Sequence, residues 1–393
     1  MPTNQLRILH VARRYDTAGG VERYVRDLAR CHRARGHRVD VLAVDTRRGL
    51  RVSSRDEGGG CAYLAPQLLE YQSVAVSLRF PDAFGRLIRG YDVLHFHYPN
   101  PIGEISHLLF GLLAHVPAIA TFHGEAVRHR AFSRLYDPMA KLFFGRMDRI
   151  VATSSNMLET ARILQPFKDK ATVIPLGIPV PGPVPIDYPS PVSPSPFSKG
   201  AHPRILYVGR LSRYKGVAHL IEAMQFGPGH LVVVGDGPLQ AALEAQSRAI
   251  GVGSRITFTG FIPESELEKA YRGADIFVLP STDRAEGFGY VLLEAMAASL
   301  PLVSTDLGTG TSFVNQHGET GLVVPPEDPH ALAEAIRFLA ANPDLMRRLG
   351  QKARARWQEL FTLDKMANAI ESEYHALVES RRGRRPDQVD SGS

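Results

Sequence analysis

The chain is predicted to form two α/β domains, each built on a doubly wound parallel sheet. Three features of its 393 residues lead there. Short apolar runs alternate with stretches of helical periodicity; a proline-dense stretch interrupts the alternation; and the same alternation restarts directly after it.

In the front half, Leu6 to Ala12 reads as a buried strand. After Gly19-Gly20, the residues Val21, Tyr24, Val25, Leu28 and Ala29 recur at helical spacing until Gly36 ends the helix. Val39 to Val44, Asp92 to His97, Ala118 to Phe122, Arg149 to Thr153 and Thr172 to Pro175 follow as strands, with a helix expected over Ile102 to His115. Residues 1–178 thus make the first domain. Pro179 to Pro203 holds nine prolines, too many for a helix or a central strand, and reads as a linker over 179–203. Arg204 to Val208, His230 to Val234, Arg255 to Thr259, Asp275 to Leu279 and Pro301 to Ser304 are the strands of a second domain, 204–361. Beyond it, Leu363, Met366, Ala367, Ile370, Tyr374, Leu377 and Val378 form one apolar stripe along a helix over 362–380, followed by a polar tail over 381–393.

Composition narrows the class. Apolar residues at 44% and charged residues at 22% are those of a globular protein. No apolar run is long enough to span a bilayer, and two cysteines build neither a disulfide framework nor a metal-binding spacing, so a reducing, cytoplasmic location is expected. From Met1 to Ile178 there are 25 Lys and Arg against 16 Asp and Glu, a net +9; the remainder carries 21 against 24, a net −3. A basic front half suits an acidic partner. Nucleic acid is not expected, because the arginines are scattered without aromatic interleaving and no nucleic-acid module is present.

The most informative stretch is Glu286-Gly-Phe-Gly-Tyr-Val-Leu-Leu-Glu294, between a buried strand and a helix. Gly287 and Gly289 keep the turn bare, so amides at the helix start can meet an anion, while two carboxylates can meet hydroxyls. A sugar nucleotide offers that combination; capping or solvated glutamates are the plainer reading. Arg210 directly follows the first strand of the second domain and Lys215 opens its next helix, two cations able to neutralise a diphosphate. Gly19-Gly20 opens the first helix, either as a phosphate site or as a simple turn. Phe261 and Ile262, after Gly260, can meet a nucleobase or be buried. Gly308-Thr-Gly-Thr-Ser312 can add amides or hydroxyls. His123 stands at a strand end, available to sugar hydroxyls or to the backbone. No Asp-x-Asp and no Cys/His cluster points to a metal, and no Gly-x-Gly-x-x-Gly points to a nicotinamide cofactor.

Gly19-Gly20-Val21-Glu22, Gly209-Arg210 with Lys215-Gly216, and Glu286 with Glu294 together resemble the motifs of retaining glycosyltransferases of family 4, over nearly the whole chain. The resemblance implies a GT-B fold: two Rossmann-like domains facing a cleft, with a C-terminal helix crossing back to the first. It also implies roles. Gly19 and Gly20 approach the donor phosphates; Arg210 and Lys215 hold the diphosphate; Phe261 and Ile262 meet the base. Glu286 touches the transferred sugar beside Phe288, Gly289, Tyr290 and Val291; Glu294 holds the ribose; His123 contacts the sugar.

His123-Gly-Glu-Ala-Val-Arg128, Ile174-Pro-Leu-Gly177 and Leu307-Gly-Thr-Gly-Thr-Ser-Phe-Val-Asn315 are similar to bacterial mannosyl- and rhamnosyltransferases of O-antigen and exopolysaccharide assembly. Many family members carry Gly-Gly-x-Pro-Glu at Gly308 to Ser312, and the subgroup often has Ala at Gly287; neither departure touches the catalytic positions. The implied reaction moves a hexose, mannose favoured and GDP-mannose a fitting donor, to a glycan or lipid-linked acceptor with retention. It needs no metal or other cofactor. An anionic membrane is the expected partner of the basic half, on the cytoplasmic face of the inner membrane. A sugar-nucleotide 2-epimerase or a catalytically silent sugar-nucleotide-binding protein would share the fold.

Overall fold

The computed structural model describes residues 5–17, 19–46, 49, 51–71, 74–111, 114–125, 130–180 and 202–383. Most of the expected linker (181–201), the tail beyond Gly383 and Ala126 to Arg128 lie outside these residues. The chain divides into two compact units. Unit 1 comprises Met1–Thr153, Ala161–Leu176 and Leu363–Ser393; unit 2 comprises Ser154–Thr160 and Gly177–Thr362.

The strands of unit 1 are β1 (Arg7–Val11), β2 (Arg38–Asp45), β3 (Ser53–Asp56), β4 (Cys61–Pro66), β5 (Leu69–Tyr71), β6 (Val74–Val76), β7 (Val93–Tyr98), β8 (Ala118–Phe122), β9 (Arg149–Ala152) and β10 (Ala171–Val173). Eight of them form one sheet in the order β10-β9-β8-β7-β1-β2-β4-β3, parallel except for the β3–β4 hairpin; β5 and β6 form a separate hairpin. Helices α1 (Gly20–Ala34), α2 (Phe80–Leu87), α3 (Pro101–Ser106) and α4 (Arg130–Gly145) connect these strands. The helix expected to reach His115 is α3 followed by a π-helical stretch, His107–Gly111.

After α5 (Ser155–Thr160), unit 2 is built on β11 (Arg204–Val208), β12 (His230–Val234), β13 (Ile256–Gly260), β14 (Ile276–Leu279), β15 (Leu302–Thr305) and β16 (Gly321–Val324). They form a fully parallel sheet in the order β13-β12-β11-β14-β15-β16. This is the doubly wound order in which the winding reverses between the first and fourth strands, β11 and β14. Helices α6 (Val217–Ala223), α7 (Gln240–Ala249), α8 (Glu264–Gly273), α9 (Tyr290–Ala297), α10 (Gly310–Val314), α11 (Pro329–Ala341) and α12 (Pro343–Leu360) cover it. The inner strands β12, β11, β14 and β15 are buried almost throughout, as parallel strands covered on both faces must be, while the edge strands β13 and β16 are mostly half-buried.

The last helix, α13 (Leu363–Arg382), belongs to unit 1 and packs on α1 and β7. Met366, Ala367, Ile370, Tyr374, Leu377 and Val378 of its apolar stripe are buried. Polar contacts fix its register: His32 Nε2 lies 3.1 Å from the Ala367 carbonyl, the Tyr374 hydroxyl 2.6 Å from His95 Nδ1, and Arg35 donates to Glu371 at 2.7 Å.

Candidate functional site

Unit 2 gathers most of the candidate residues where its winding reverses. Directly after β11, the chain passes through Gly209, whose φ of +155° accommodates a close approach to Gly235; a Cβ on Gly235 would strike the Gly209 carbonyl. The two loops are joined by Leu211 N–H donating to the Asp236 carbonyl at 2.7 Å. Arg210 projects from this crossing and is exposed. A short turn, Arg213–Lys215, ends at Gly216, with a φ of +66° and a Cβ position already occupied by the Pro280 carbonyl. Only glycine lets the chain come this close to the end of β14.

That approach brings Lys215 Nζ to 2.5 Å from Glu286 Oε2. Ser281, just past β14, donates its hydroxyl to the same oxygen at 3.0 Å. The two charged side chains are only 11% and 9% exposed. Burial opposes the charge on Lys215, but Glu286 beside it prevails and holds the ammonium pKa above its ordinary range. The site therefore carries a persistent cation on one side and an acceptor carboxylate on the other.

The loop bearing Glu286 leads into α9. Its N-cap, Gly289, has a φ of +79° and contacts Leu292 and Leu279, leaving no room for a side chain. Phe288 is buried, whereas Tyr290 and Val291 are half-buried. Glu294, in the second turn, accepts from the Tyr271 hydroxyl at 2.7 Å. The stretch Gly308 to Ser312 buttresses the same loop: Thr309 Oγ1 donates to the Glu286 carbonyl at 2.8 Å, and Gly310 N–H donates to the Gly287 carbonyl at 2.8 Å. Phe261, at the end of β13, is 73% exposed with Ile262 half-buried beside it, so the buried-aromatic alternative does not hold.

Gly19, Gly20 and His123 belong to unit 1. Gly19 caps α1 and Gly20 is its first residue. The helix start is not bare: the Glu22 carboxylate leans over Gly19, filling the place a Cβ would take, and pairs with Arg13 at 3.5 Å. An anion there must displace this carboxylate. His123 is buried against the ring of Tyr24, at 4.9 Å, and its Nε2 lies 3.3 Å from His97 Nδ1. Burial lowers its pKa to about 3, so the ring is neutral.

The expectation that no Cys/His cluster exists is corrected here. His10 on β1, His95 and His97 on β7, and His123 after β8 are buried together. Parallel register sets His10 beside His95 and His97 beside Thr121, so residues remote in sequence share one face. The signal was the spacing His95-Phe-His97, which puts both rings on one side of a strand. All but one of the nitrogens of His10, His95 and His97 are paired, His10 Nδ1 with His97 Nε2 at 2.9 Å, His97 Nδ1 with His123 Nε2 at 3.3 Å, and His95 with the Tyr374 and Thr121 hydroxyls at 2.6 and 2.8 Å; His10 Nε2 alone has no partner. A metal would have to break these bonds. In a second group, His37 Nδ1 accepts from Leu6 N–H, so Nε2 carries the proton donated to Glu371 and has no lone pair for a metal.

Comparison with known proteins identifies the family. Residues 18–180 match the family model Glycosyltransferase Family 4, and residues 193–356 match Glycosyl transferases group 1. The D-rhamnosyltransferase WbpZ of Pseudomonas aeruginosa is 34% identical, over 91% of this chain and 92% of its own. The chain belongs to glycosyltransferase family 4. Another relative of this glycosyltransferase, the O-antigen chain mannosyltransferase C of Escherichia coli, is 32% identical over 96% of the chain and all of its own length. Among solved structures, sucrose-phosphate synthase from Thermosynechococcus elongatus superposes with a TM-score of 0.76 at 24% identity, covering 95% of this chain and 100% of that one. The Anabaena Alr3699/HepE protein in complex with UDP gives 0.73 at 19%, covering 94% and 100%. The glycosyltransferase therefore has the GT-B fold.

Proposed function

We propose that this glycosyltransferase moves a hexose or deoxyhexose, mannose favoured, from a nucleotide diphosphate sugar to a hydroxyl of a glycan or lipid-linked glycan in cell-surface polysaccharide synthesis. The transfer retains anomeric configuration and uses no metal. The observation that carries the reading is the Lys215–Glu286 pair beside Ser281, with Arg210 exposed at the adjoining strand end. The relatives named for rhamnosyl and O-antigen mannosyl transfer support the sugar class.

In this reading the donor's diphosphate takes over the partnership with Lys215 and adds Arg210, two cations where a metal would otherwise carry the charge. Glu286, relieved of its ion pair, accepts a hydroxyl of the sugar. Glu294 holds the ribose hydroxyls, and Phe261 and Ile262 meet the base. The bond from the anomeric carbon to the β-phosphate oxygen breaks, and the acceptor oxygen bonds to the same face. The acceptor's proton passes to the leaving phosphate, giving a nucleoside diphosphate and a glycoside. Gly20 meets the donor phosphates only where Glu22 has moved aside. Among the described residues no helix is long and apolar enough to cross a membrane.

A thermal-shift panel of nucleotide sugars tests the reading. A donor at 100 times its dissociation constant adds about 2.7 kcal/mol of stability. A shift with product formed only when acceptor is present supports transfer. Conversion of the donor without acceptor would instead indicate a 2-epimerase, and a shift without any turnover a silent binder.

A further inference from the structure

The histidines of unit 1 form a directional chain. His10 Nδ1 meets His97 Nε2 at 2.9 Å, and His97 Nδ1 meets His123 Nε2 at 3.3 Å. Each contact needs one N–H and one bare nitrogen, and a neutral imidazole has one of each. The three tautomers are therefore locked together. Either every ring carries its proton on Nδ1, so that His10 donates to His97 and His97 to His123, or every ring carries it on Nε2 and the donations reverse.

The far end of the chain decides between them. His10 Nε2 is sealed from solvent and has no hydrogen-bond partner. In the first array this atom is a bare acceptor; in the second it is a buried, unsatisfied N–H. Among buried backbone groups an orphaned N–H is rarer than an under-satisfied acceptor, and the same ordering assigns His10 Nε2 as the bare nitrogen. All three rings are buried without a neighbouring carboxylate among their hydrogen-bond partners, which keeps them neutral and preserves the alternation.

We infer that His97 and His10 are positioning residues that hold His123 in its Nδ1–H tautomer, so that His123 offers the transferred sugar a hydrogen-bond donor. This rests on the proposed role of His123 toward the sugar. The orientation of the chain does not: it follows from the three rings alone. Tyr24 packs edge-on against both His97 and His123, at 5.5 and 4.9 Å, and holds the rings in register. A donating His123 requires an acceptor oxygen on the sugar and disfavours an analogue whose group at that place only donates.

The test uses the full chain labelled with ¹⁵N-histidine, with the His123 resonances identified by their loss in His123→Asn. Two-bond ¹⁵N–¹H correlations report each tautomer directly. Wild type should show His123 as Nδ1–H. His97→Phe removes the donor and should give a mixture of His123 tautomers; turnover should fall on the order of tenfold with donor KM nearly unchanged. His97→Asn places an amide N–H where Nδ1–H stood and should restore both. If His97→Phe does not fold, the wild-type tautomer of His123 decides by itself. An Nε2–H tautomer in wild type, or an unaltered Nδ1–H signal in folded His97→Phe, overturns the inference. Absence of transfer by wild type with every nucleotide sugar overturns the functional reading instead, and the tautomer spectrum of the free protein tells the two failures apart.

Discussion

Lys215 Nζ and Glu286 Oε2 are 2.5 Å apart, although 71 residues separate them in sequence. Each was expected to meet the donor, and the structure pairs them with each other. The pair holds a cation and a carboxylate largely desolvated at one place, and in the proposed reaction that is where stabilisation of a leaving diphosphate is strongest.

Stability and activity should part company at this pair. Lys215→Met leaves Glu286 without its cation in a largely buried site and should destabilise unit 2 by about 3–5 kcal/mol. The double variant Lys215→Met/Glu286→Gln should regain most of that stability and none of the activity. Arg210→Ala, at an exposed position, should leave the melting temperature unchanged while lowering turnover on the order of a hundredfold. Denaturant melts beside initial rates decide it; a double variant with recovered turnover would remove the proposed roles.

Deleting α13 by a stop after Thr362 should destabilise unit 1, because the helix covers α1 and β7 with buried Met366, Ile370, Leu377 and Val378, each contributing about 1.5–3 kcal/mol when fully buried, beside Ala367 and Tyr374. The single tryptophan, Trp357, is buried in unit 2, so its fluorescence follows that unit alone. Truncation should advance the far-ultraviolet dichroism transition with little change in the tryptophan transition. Tyr374→Phe, which removes only the hydroxyl bonded to His95, should cost about 1 kcal/mol. Equal transitions in full-length and truncated chains would refute the anchoring.

Acid should act on the same unit. Burial depresses His10, His95 and His97 below their ordinary range, His32 and His107 to about 4, and His123 to about 3. The unfolded chain takes up protons near pH 6.5 that the folded unit refuses, so stability is intact above that pH and declines as pH falls toward 4. Each such histidine costs about 1.4 kcal/mol per pH unit within the window. Glu104, raised to about 7 by burial, works in the opposite direction. Melts from pH 7 to pH 5 should show the dichroism transition falling faster than the Trp357 transition; parallel curves would contradict this.

The basic half should bind anionic vesicles. Leu78, 74% exposed, stands with exposed Leu68 and Leu69 near Arg79, Arg86 and Arg89. Arg149, elsewhere in the same unit, offers less, because it is held by Glu373 at 2.8 Å. Each basic side chain at an anionic surface contributes about 1 kcal/mol. Sedimentation with anionic vesicles should be lost at 1 M salt, where the Debye length is about 3 Å, and weakened by Leu78→Ser with Arg89→Glu. Equal binding to neutral vesicles would refute the electrostatic account.

Most strands of the two sheets were legible because buried parallel strands are nearly continuous apolar runs, and the apolar stripe of α13 marked its buried face; β4 and β16, short runs that open at or beside glycines, went unread. The strand Ser53–Asp56 was not legible either, since all its residues are exposed and carry no apolar signature. Glu286, Lys215 and Glu294 were legible as candidates because they follow strand ends and bare turns, and the structure pairs the first two. Their partners were not: Ser281 and Tyr271 are ordinary in sequence and acquire a role only through β14 and α8. The histidine chain escaped notice because its members come from three strands, and only parallel register brings them together.

The central claim is retaining transfer from a nucleotide diphosphate sugar without a metal. The most direct measurement follows the anomeric proton by NMR while the chain turns over an α-configured donor, GDP-mannose first, with a mannosyl acceptor and excess EDTA. The account predicts an α-linked product formed at the rate seen without EDTA, and none with Glu286→Gln. A β-linked product, or activity that EDTA abolishes and a divalent cation restores, would contradict it.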